Sequence, residues 1–257
     1  MKFVRSLIHL SLSLLPFHAP SAWADTDFKP EYYKSNHKTG IDYRIHIPEN
    51  IDNNKLYPLV IFLHGAGQRG SDNISQLALG ARAVMAFSKR SNMPAIIVAP
   101  QVPEDEQWVD TPWDADSHQM PEQPSRTMAL VMELVVNLSI DKPVDPARIY
   151  VTGLSMGGFG TWDIIQRMPD YFAAALPVCG GGDIDQAYKI AHMPIWAFHG
   201  DSDNVVKVGR SRDMIAALKQ AGSEPKYTEY ANVGHDSWVA TYADNSVLTW
   251  LFSQTKQ

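Results

Sequence analysis

The chain contains a single cysteine, Cys179. One thiol has no partner for an internal disulfide, so stability must come from a packed core rather than covalent staples. There is no Cys/His cluster and no H-E-x-x-H pattern, which leaves metal catalysis without a sequence basis. Basic charge is scarce: 22 Lys and Arg stand against 28 Asp and Glu, a formal net charge of −6. Such a chain has no basic field with which to hold nucleic acid phosphates or an anionic membrane surface. No apolar run reaches the roughly 20 residues that a membrane-spanning helix needs. Internal repeats, low-complexity tracts and heptads are missing as well.

What is present is an ordinary globular composition. The 257 residues are 45% apolar and 19% charged, which suits one large α/β core and excludes global disorder. The first 24 residues stand apart. Lys2 and Arg5 flank the start of a mostly apolar run from Leu7 to Leu15, and Ala22-Trp23-Ala24 has the small-x-small spacing of a signal-peptidase site. Residues 1–24 are expected to be a signal peptide cleaved after Ala24. Residues 25–257 are then one domain, periplasmic or extracellular. Removing the leader takes away Lys2 and Arg5 and no acid, leaving 20 Lys and Arg against 28 Asp and Glu, net −8. The mature form is expected to bind neither nucleic acid nor membrane.

Strand-like apolar runs alternate with helical patterns, the signature of a mainly parallel sheet with helices on both faces. Strands are expected at 43–47, 59–63, 95–99, 149–152, 173–178, 195–198 and 227–230. Helices are expected at 74–87, 125–138, 156–168, 209–221 and 247–252. Several strands are continuous aliphatic runs, as in strands buried on both faces. Residues 43–47 alternate polar and apolar and suit an antiparallel edge strand. Ser125 stands as an N-cap before the second helix. Two stretches, 64–73 and 101–124, lack periodicity. Both follow strand C-termini, the edge of an open α/β sheet where ligands bind.

Gly153-Leu154-Ser155-Met156-Gly157-Gly158 lies between a predicted strand and a predicted helix. This is the G-x-S-x-G pattern in the context that gives it meaning. A nucleophilic serine must stand on a sharp, strained turn, and side chains two residues either side would collide with neighbouring backbone. The helix that follows aims its amide dipoles at developing negative charge.

A serine hydroxyl needs a base, and in this arrangement the order along the chain is Ser, then Asp or Glu, then His. Three histidines follow Ser155: His192, His199 and His235. His235, in a loop after the last predicted strand, stands where the base belongs. His199 ends a strand and competes as a buried structural group. Two acids, Asp201 and Asp203, follow the 195–198 strand. Asp203 lies deeper in the loop, with Val206 able to anchor it, while Asp201 could cap the turn through its own backbone. A calcium loop fails here, because Val205 and Val206 occupy the positions of a third oxygen ligand and the turn glycine.

Acyl transfer also needs two backbone N–H groups aimed at the oxyanion. One should come from Met156. The other should come from His64-Gly65-Ala66-Gly67-Gln68-Arg69-Gly70, with Ala66 the expected donor. His64 and Gly65 are candidates to touch substrate. Trp108 and Trp113 are candidates to line an acyl or aryl pocket, with Trp108 placed nearer the strand end. Trp238 is expected to pack the base loop, and Cys179 to be a small buried residue.

Taken together, Leu63-His64-Gly65-Ala66-Gly67-Gln68-Arg69-Gly70, the Ser155 motif, His199-Gly200-x-x-Asp203-x-x-Val206 and Gly234-His235 resemble the small α/β-hydrolase esterases. These include the phospholipase/carboxylesterase, dienelactone-hydrolase-like and feruloyl-esterase-like branches and the related predicted peptidases. The resemblance spans about residues 40–255. It implies Ser155, Asp203 and His235 as the triad, His64-Gly65-Ala66 as the oxyanion loop, and no cofactor. Only about 15 residues separate Cys179 from Pro194, where many relatives insert a helical cap. An uncapped site suits short-chain, aryl or polymer-attached esters, including polysaccharide-linked ones. A peptidase of the prolyl-oligopeptidase type shares the chemistry, but the chain has no room for a gating domain. A non-catalytic binding protein on the same scaffold is the third reading, although no triad residue is missing.

Overall fold

The computed structural model describes residues 27–36, 39–52 and 54–256. The expected signal peptide lies outside the described residues. Eight strands form one sheet in the order β1-β2-β4-β3-β5-β6-β7-β8. They are β1 (Lys29–Lys34), β2 (Gly40–His46), β3 (Tyr57–Leu63), β4 (Ile96–Pro100), β5 (Val144–Leu154), β6 (Ala174–Val178), β7 (Trp196–Gly200) and β8 (Lys226–Tyr230). β3 to β8 run parallel, and β2 pairs antiparallel with both β1 and β4.

The helices are α1 (Ala81–Arg90), α2 (Arg126–Asp141), α3 (Met156–Arg167), α4 (Gly209–Gln220), α5 (Trp238–Ala243) and α6 (Asn245–Ser253). Successive side chains of a strand point to opposite faces. Leu59, Ile61 and Leu63 of β3 therefore join a core with α2, α3 and α4, while Val60 and Phe62 join a second core with α1, α5 and α6. The unbroken apolar runs of the inner strands come from this two-sided burial. No helix among the described residues is long and apolar enough to cross a membrane.

Three expectations need correction. Residues 43–47 were expected to form an edge strand, but β2 is covered by β1. Lys29-Pro30-Glu31-Tyr32-Tyr33-Lys34 carries no apolar alternation, because β1 is largely solvent-exposed; lysines and a proline on an edge discourage pairing with other chains. The single helix expected at 74–87 is broken. A 3₁₀ turn at Ser75–Leu77 is followed by Leu79 in the left-handed region at φ 67°, and α1 starts only at Ala81. Residues 238–243, where no helix was expected, form α5. The Ser125 cap is as expected: its hydroxyl accepts from the Met128 amide at 3.0 Å.

β3 lies between β4 and β5, so the chain winds outward in both directions from this point. Ligands bind at such switch points. Leu63 pairs with Gly153 at the C-terminal end of this pair, which sets the 64–70 loop beside the turn after β5. The 101–124 stretch is a fixed wall. Arg167 of α3 donates to Pro121 O at 2.8 Å, Asp183 accepts from the Met120 amide at 2.8 Å, and Arg210 of α4 donates to Ala115 O at 3.0 Å.

Arg167 also holds Asp163 across one helical turn at 2.8 Å, with both side chains under a tenth exposed. Burial pushes the Asp163 carboxyl up, and the arginine only partly offsets this. Arg167→Met is expected to lower stability by about 3–5 kcal/mol, because it leaves a buried carboxyl without its counter-charge. The double variant with Asp163→Leu should recover much of that loss. Urea unfolding midpoints of the two variants check this.

Candidate active site

Ser155 alone makes the turn between β5 and α3. Its φ is 54° and its ψ −120°. A non-glycine residue held there stores about 1–3 kcal/mol of strain, so the surroundings must over-determine it. Its amide donates to Val178 O at 2.9 Å, and its carbonyl accepts from the Phe159 amide at 3.1 Å. The glycines two residues either side have a steric cause. A Cβ on Gly157 would lie 1.9 Å from Leu63 O and 2.8 Å from His64 O, and one on Gly153 would lie 2.4 Å from Gly157 O.

Ser155 Oγ lies 2.8 Å from Nε2 of His235. Nδ1 of His235 donates to Oδ2 of Asp203 at 2.7 Å. A carboxylate only accepts, so Nδ1 carries the hydrogen and Nε2 is the atom open to the serine proton. The ring stands edge-on to Trp238, 5.3 Å between centroids. Asp203 Oδ1 accepts from the amides of Val205 at 2.8 Å and Val206 at 2.9 Å. Burial works to raise the Asp203 carboxyl. Hydrogen bonds from His199, His235 and the two amides outweigh it and hold the group well below the usual carboxylate range. Asp201 is exposed, and its Oδ1 is engaged by the Asn232 amide at 2.8 Å and by Ser202, so it ties the β7 and β8 loops together.

Ala66 opens a one-turn 3₁₀ helix, Ala66–Gln68, just beyond β3, and Met156 is the first residue of α3. The close approach at Gly157 brings these two elements together. Among the described residues neither the Ala66 nor the Met156 amide donates a hydrogen bond, which leaves both free for an oxyanion.

The expectation that His64, Gly65 and Trp108 touch substrate is corrected. His64 is buried; its Nδ1 donates to Gly65 O at 2.7 Å and its Nε2 accepts from the Val102 amide at 2.9 Å. Burial lowers its pKa to about 4, the Gly65 carbonyl opposing the shift, so the ring is neutral. Gly65 is buried too, its carbonyl held by His64 and by the Gln68 amide. Trp108 is fully buried, with its indole N–H donating to His64 O at 2.9 Å. A large apolar ring with one satisfied donor is most stable beneath the loop. These three residues hold the 64–70 loop from behind. Trp113 is half-buried, and the Arg69 guanidinium lies 5.8 Å above its ring while Arg69 Nε donates to Ala66 O at 3.0 Å. Nearness to the strand end favoured Trp108 for the pocket, but the path of the loop, which the sequence does not show, covers Trp108 and leaves Trp113 half-buried.

Cys179, Asp203 and His235 each bring one potential ligand atom within 4.8 Å of the others. They make a poor metal set. Both nitrogens of His235 and both oxygens of Asp203 are already engaged, and burial pushes the Cys179 thiol up to about 12, which keeps it protonated.

A mainly parallel sheet with a serine on a strand–turn–helix corner at its switch point defines an α/β hydrolase. Between β6 and β7 the described chain holds only a 3₁₀ segment, Ile184–Ile190, and no large cap. The chain belongs to the dienelactone hydrolase family, whose model matches residues 97–246. A crystal structure of a thermostable esterase superposes with a TM-score of 0.83 at 36% identity, covering 89% of this chain and 63% of that one. A poly(3-hydroxyalkanoate) depolymerase C from Paucimonas lemoignei is 43% identical over 77 residues, 30% of this chain and 17% of the relative. A bifunctional acetylxylan esterase/xylanase from Neocallimastix patriciarum is 23% identical over 213 residues, 78% of this chain and 28% of the relative. The chain thus spans under a third of the length of either of these two curated relatives.

Gly157→Ala is expected to cost about 3 kcal/mol or more, since backbone oxygen cannot move aside as a side chain can. Gly67→Ala, where an added Cβ meets nothing within 4 Å, should change stability by less than about 0.5 kcal/mol. Denaturant titration of the pair separates close backbone packing from a general dislike of replacing glycine in these loops.

Proposed function

We propose that this chain is a serine carboxylic ester hydrolase that works through an acyl-enzyme at Ser155. The observation that carries the reading is the unbroken relay from Ser155 Oγ through His235 to Asp203, at 2.8 Å and 2.7 Å. Ser155 Oγ attacks the ester carbonyl carbon and its proton passes to His235 Nε2. Asp203 keeps the ring in the productive tautomer and balances the imidazolium that forms. The amides of Ala66 and Met156 bind the oxyanion. His235 then protonates the departing alkoxide oxygen, which leaves as the alcohol. Water attacks the acyl-enzyme with His235 again as base, and the acid is released with Ser155 restored.

The substrate class follows from the loops. Without a cap the serine faces an open edge, which favours short-chain, aryl or polymer-attached esters over long acyl chains. The names of two relatives, a poly(3-hydroxyalkanoate) depolymerase and an acetylxylan esterase/xylanase, support an ester attached to a polymer. We further propose secretion as one domain, residues 25–257, after cleavage behind Ala24. A mature protein whose intact mass begins at Asp25 is the expected result.

The main test is a panel of p-nitrophenyl acetate and butyrate, methyl ferulate, acetylated xylan and aminoacyl p-nitroanilides. The esters should turn over and the anilides should not. Ser155→Ala should lose at least about 10³-fold in kcat, and Asp203→Asn on the order of 10³–10⁴-fold. A fluorophosphonate should label the wild type and leave Ser155→Ala untouched. Equal hydrolysis by both proteins would remove Ser155 from the mechanism, and preference for the anilides would make the chain a peptidase.

A further inference from the structure

The inner end of β7 carries an imidazole that this reaction scheme does not use. His199 is fully buried. Its Nε2 lies 2.9 Å from Val206 O and 3.2 Å from Oδ2 of Asp203. Both neighbours only accept, so Nε2 carries a hydrogen and points it at both. Nδ1 lies 2.8 Å from Ser211 Oγ, which in turn is 3.2 Å from Gly180 O. Asp203 Oδ2 therefore receives two imidazoles, His235 on one side and His199 on the other. With the Val205 and Val206 amides on Oδ1, all four acceptor sites of the carboxylate are filled.

A buried histidine needs a partner for each nitrogen, and Val206 O and Ser211 Oγ already provide them. The approach to Asp203 is additional to what burial demands. It has two consequences for a carboxylate that must steady a base. A second donor on Oδ2 prevents the group from rotating away from His235 Nδ1. It also withdraws negative charge from that oxygen, so the oxygen holds a positively charged imidazole less tightly. The other titratable groups around His199 are already occupied or neutral. Glu229, its pairing neighbour on β8, is engaged by Arg212 and Tyr227. On α4, Ser211 lies between Arg212 and Arg210, and Arg210 points to the Ala115 carbonyl and His118. The Cys179 thiol beyond β6 stays protonated.

We propose that His199 is a positioning residue of this site: by donating from Nε2 to Oδ2 of Asp203 it fixes the acid against His235 and moderates its hold on the imidazolium formed when Ser155 attacks. The inference rests on the triad reading given above. It extends the relay to four members, Ser155, His235, Asp203 and His199, with Ser211 behind the last.

Two substitutions separate this role from simple packing. His199→Leu removes the donor, while His199→Gln keeps an N–H near the place of Nε2. His199→Leu should lower kcat about 10- to 100-fold with KM within about twofold, as a misplaced catalytic group does. The acid limb of its kcat/KM profile should move to higher pH by about half a unit, because a carboxylate with fewer donors retains the imidazolium longer. His199→Gln should recover most of kcat and the original limb. A folded His199→Leu with wild-type kcat and pH profile, or a Gln variant no better than Leu, overturns the proposal. A second measurement needs no variant at 199: in ¹⁵N-labelled wild type, fluorophosphonate capture of Ser155 makes His235 an imidazolium, and the His199 Nε2–H resonance should shift with it. A resonance that stays in place also overturns the proposal. Wild type that takes up no fluorophosphonate overturns the triad reading and this inference together, whereas labelled wild type with an indifferent His199 overturns this inference alone.

Discussion

The sheet edge that carries Ser155 is organised around one backbone contact, the end of β3 against the start of α3. Leu63 O and His64 O face the Cα of Gly157 so closely that no side chain fits between them. That contact leaves Ser155 only a left-handed turn, and the turn lifts its hydroxyl off the sheet. The same contact sets the start of α3 against the end of β3, from which the chain runs into the 66–68 turn. Strain at Ser155 is sustained because β3 and the 149–154 part of β5 are buried, and β5 is paired on both sides. The backbone strain at Ser155 and the placement of its hydroxyl thus come from one steric arrangement and not from separate devices.

Around this corner the protein suppresses unwanted charge. Burial keeps His64 neutral, with its pKa lowered to about 4, and His118 is lowered to about 4 by burial and by the Arg210 guanidinium beside it. The Cys179 thiol is kept protonated. Asp203 is the exception, held ionised by four donors despite its burial. A fixed negative charge behind His235 suits the proposed reaction, because a charge already in place needs no reorganisation when a proton moves to the imidazole. The long 101–124 wall keeps this environment constant, anchored by Arg167, Arg210 and Asp183.

Some elements were legible because their signal is local. The run at 59–63 reads as a buried strand whatever surrounds it, and β3 spans Tyr57–Leu63. The glycines around Ser155 announce a sharp turn by their spacing alone. Others were illegible because their cause is distant. β1 has the composition of a loop and becomes a strand only because β2 offers it an edge. The 74–87 helix reads as continuous by periodicity, yet Asp72 captures the amides of Ile74 and Ser75 and the chain turns at Leu79. Trp108 and Trp113 have the same local appearance. One lies under the 64–70 loop and the other half-emerges beneath Arg69.

The sequence by itself determined the alternation of strand and helix, the strained serine corner and the order in which serine, acid and histidine occur, since each depends on residues adjacent along the chain. The tertiary structure brought Asp203, which the sequence already favoured over Asp201, to the imidazole, and it alone decided that His64 and Trp108 face inward and that His199 shares the acid with His235. Those outcomes depend on how separate loops meet at one sheet edge, and the distances there are fixed by strand register and by packing against helices remote in sequence.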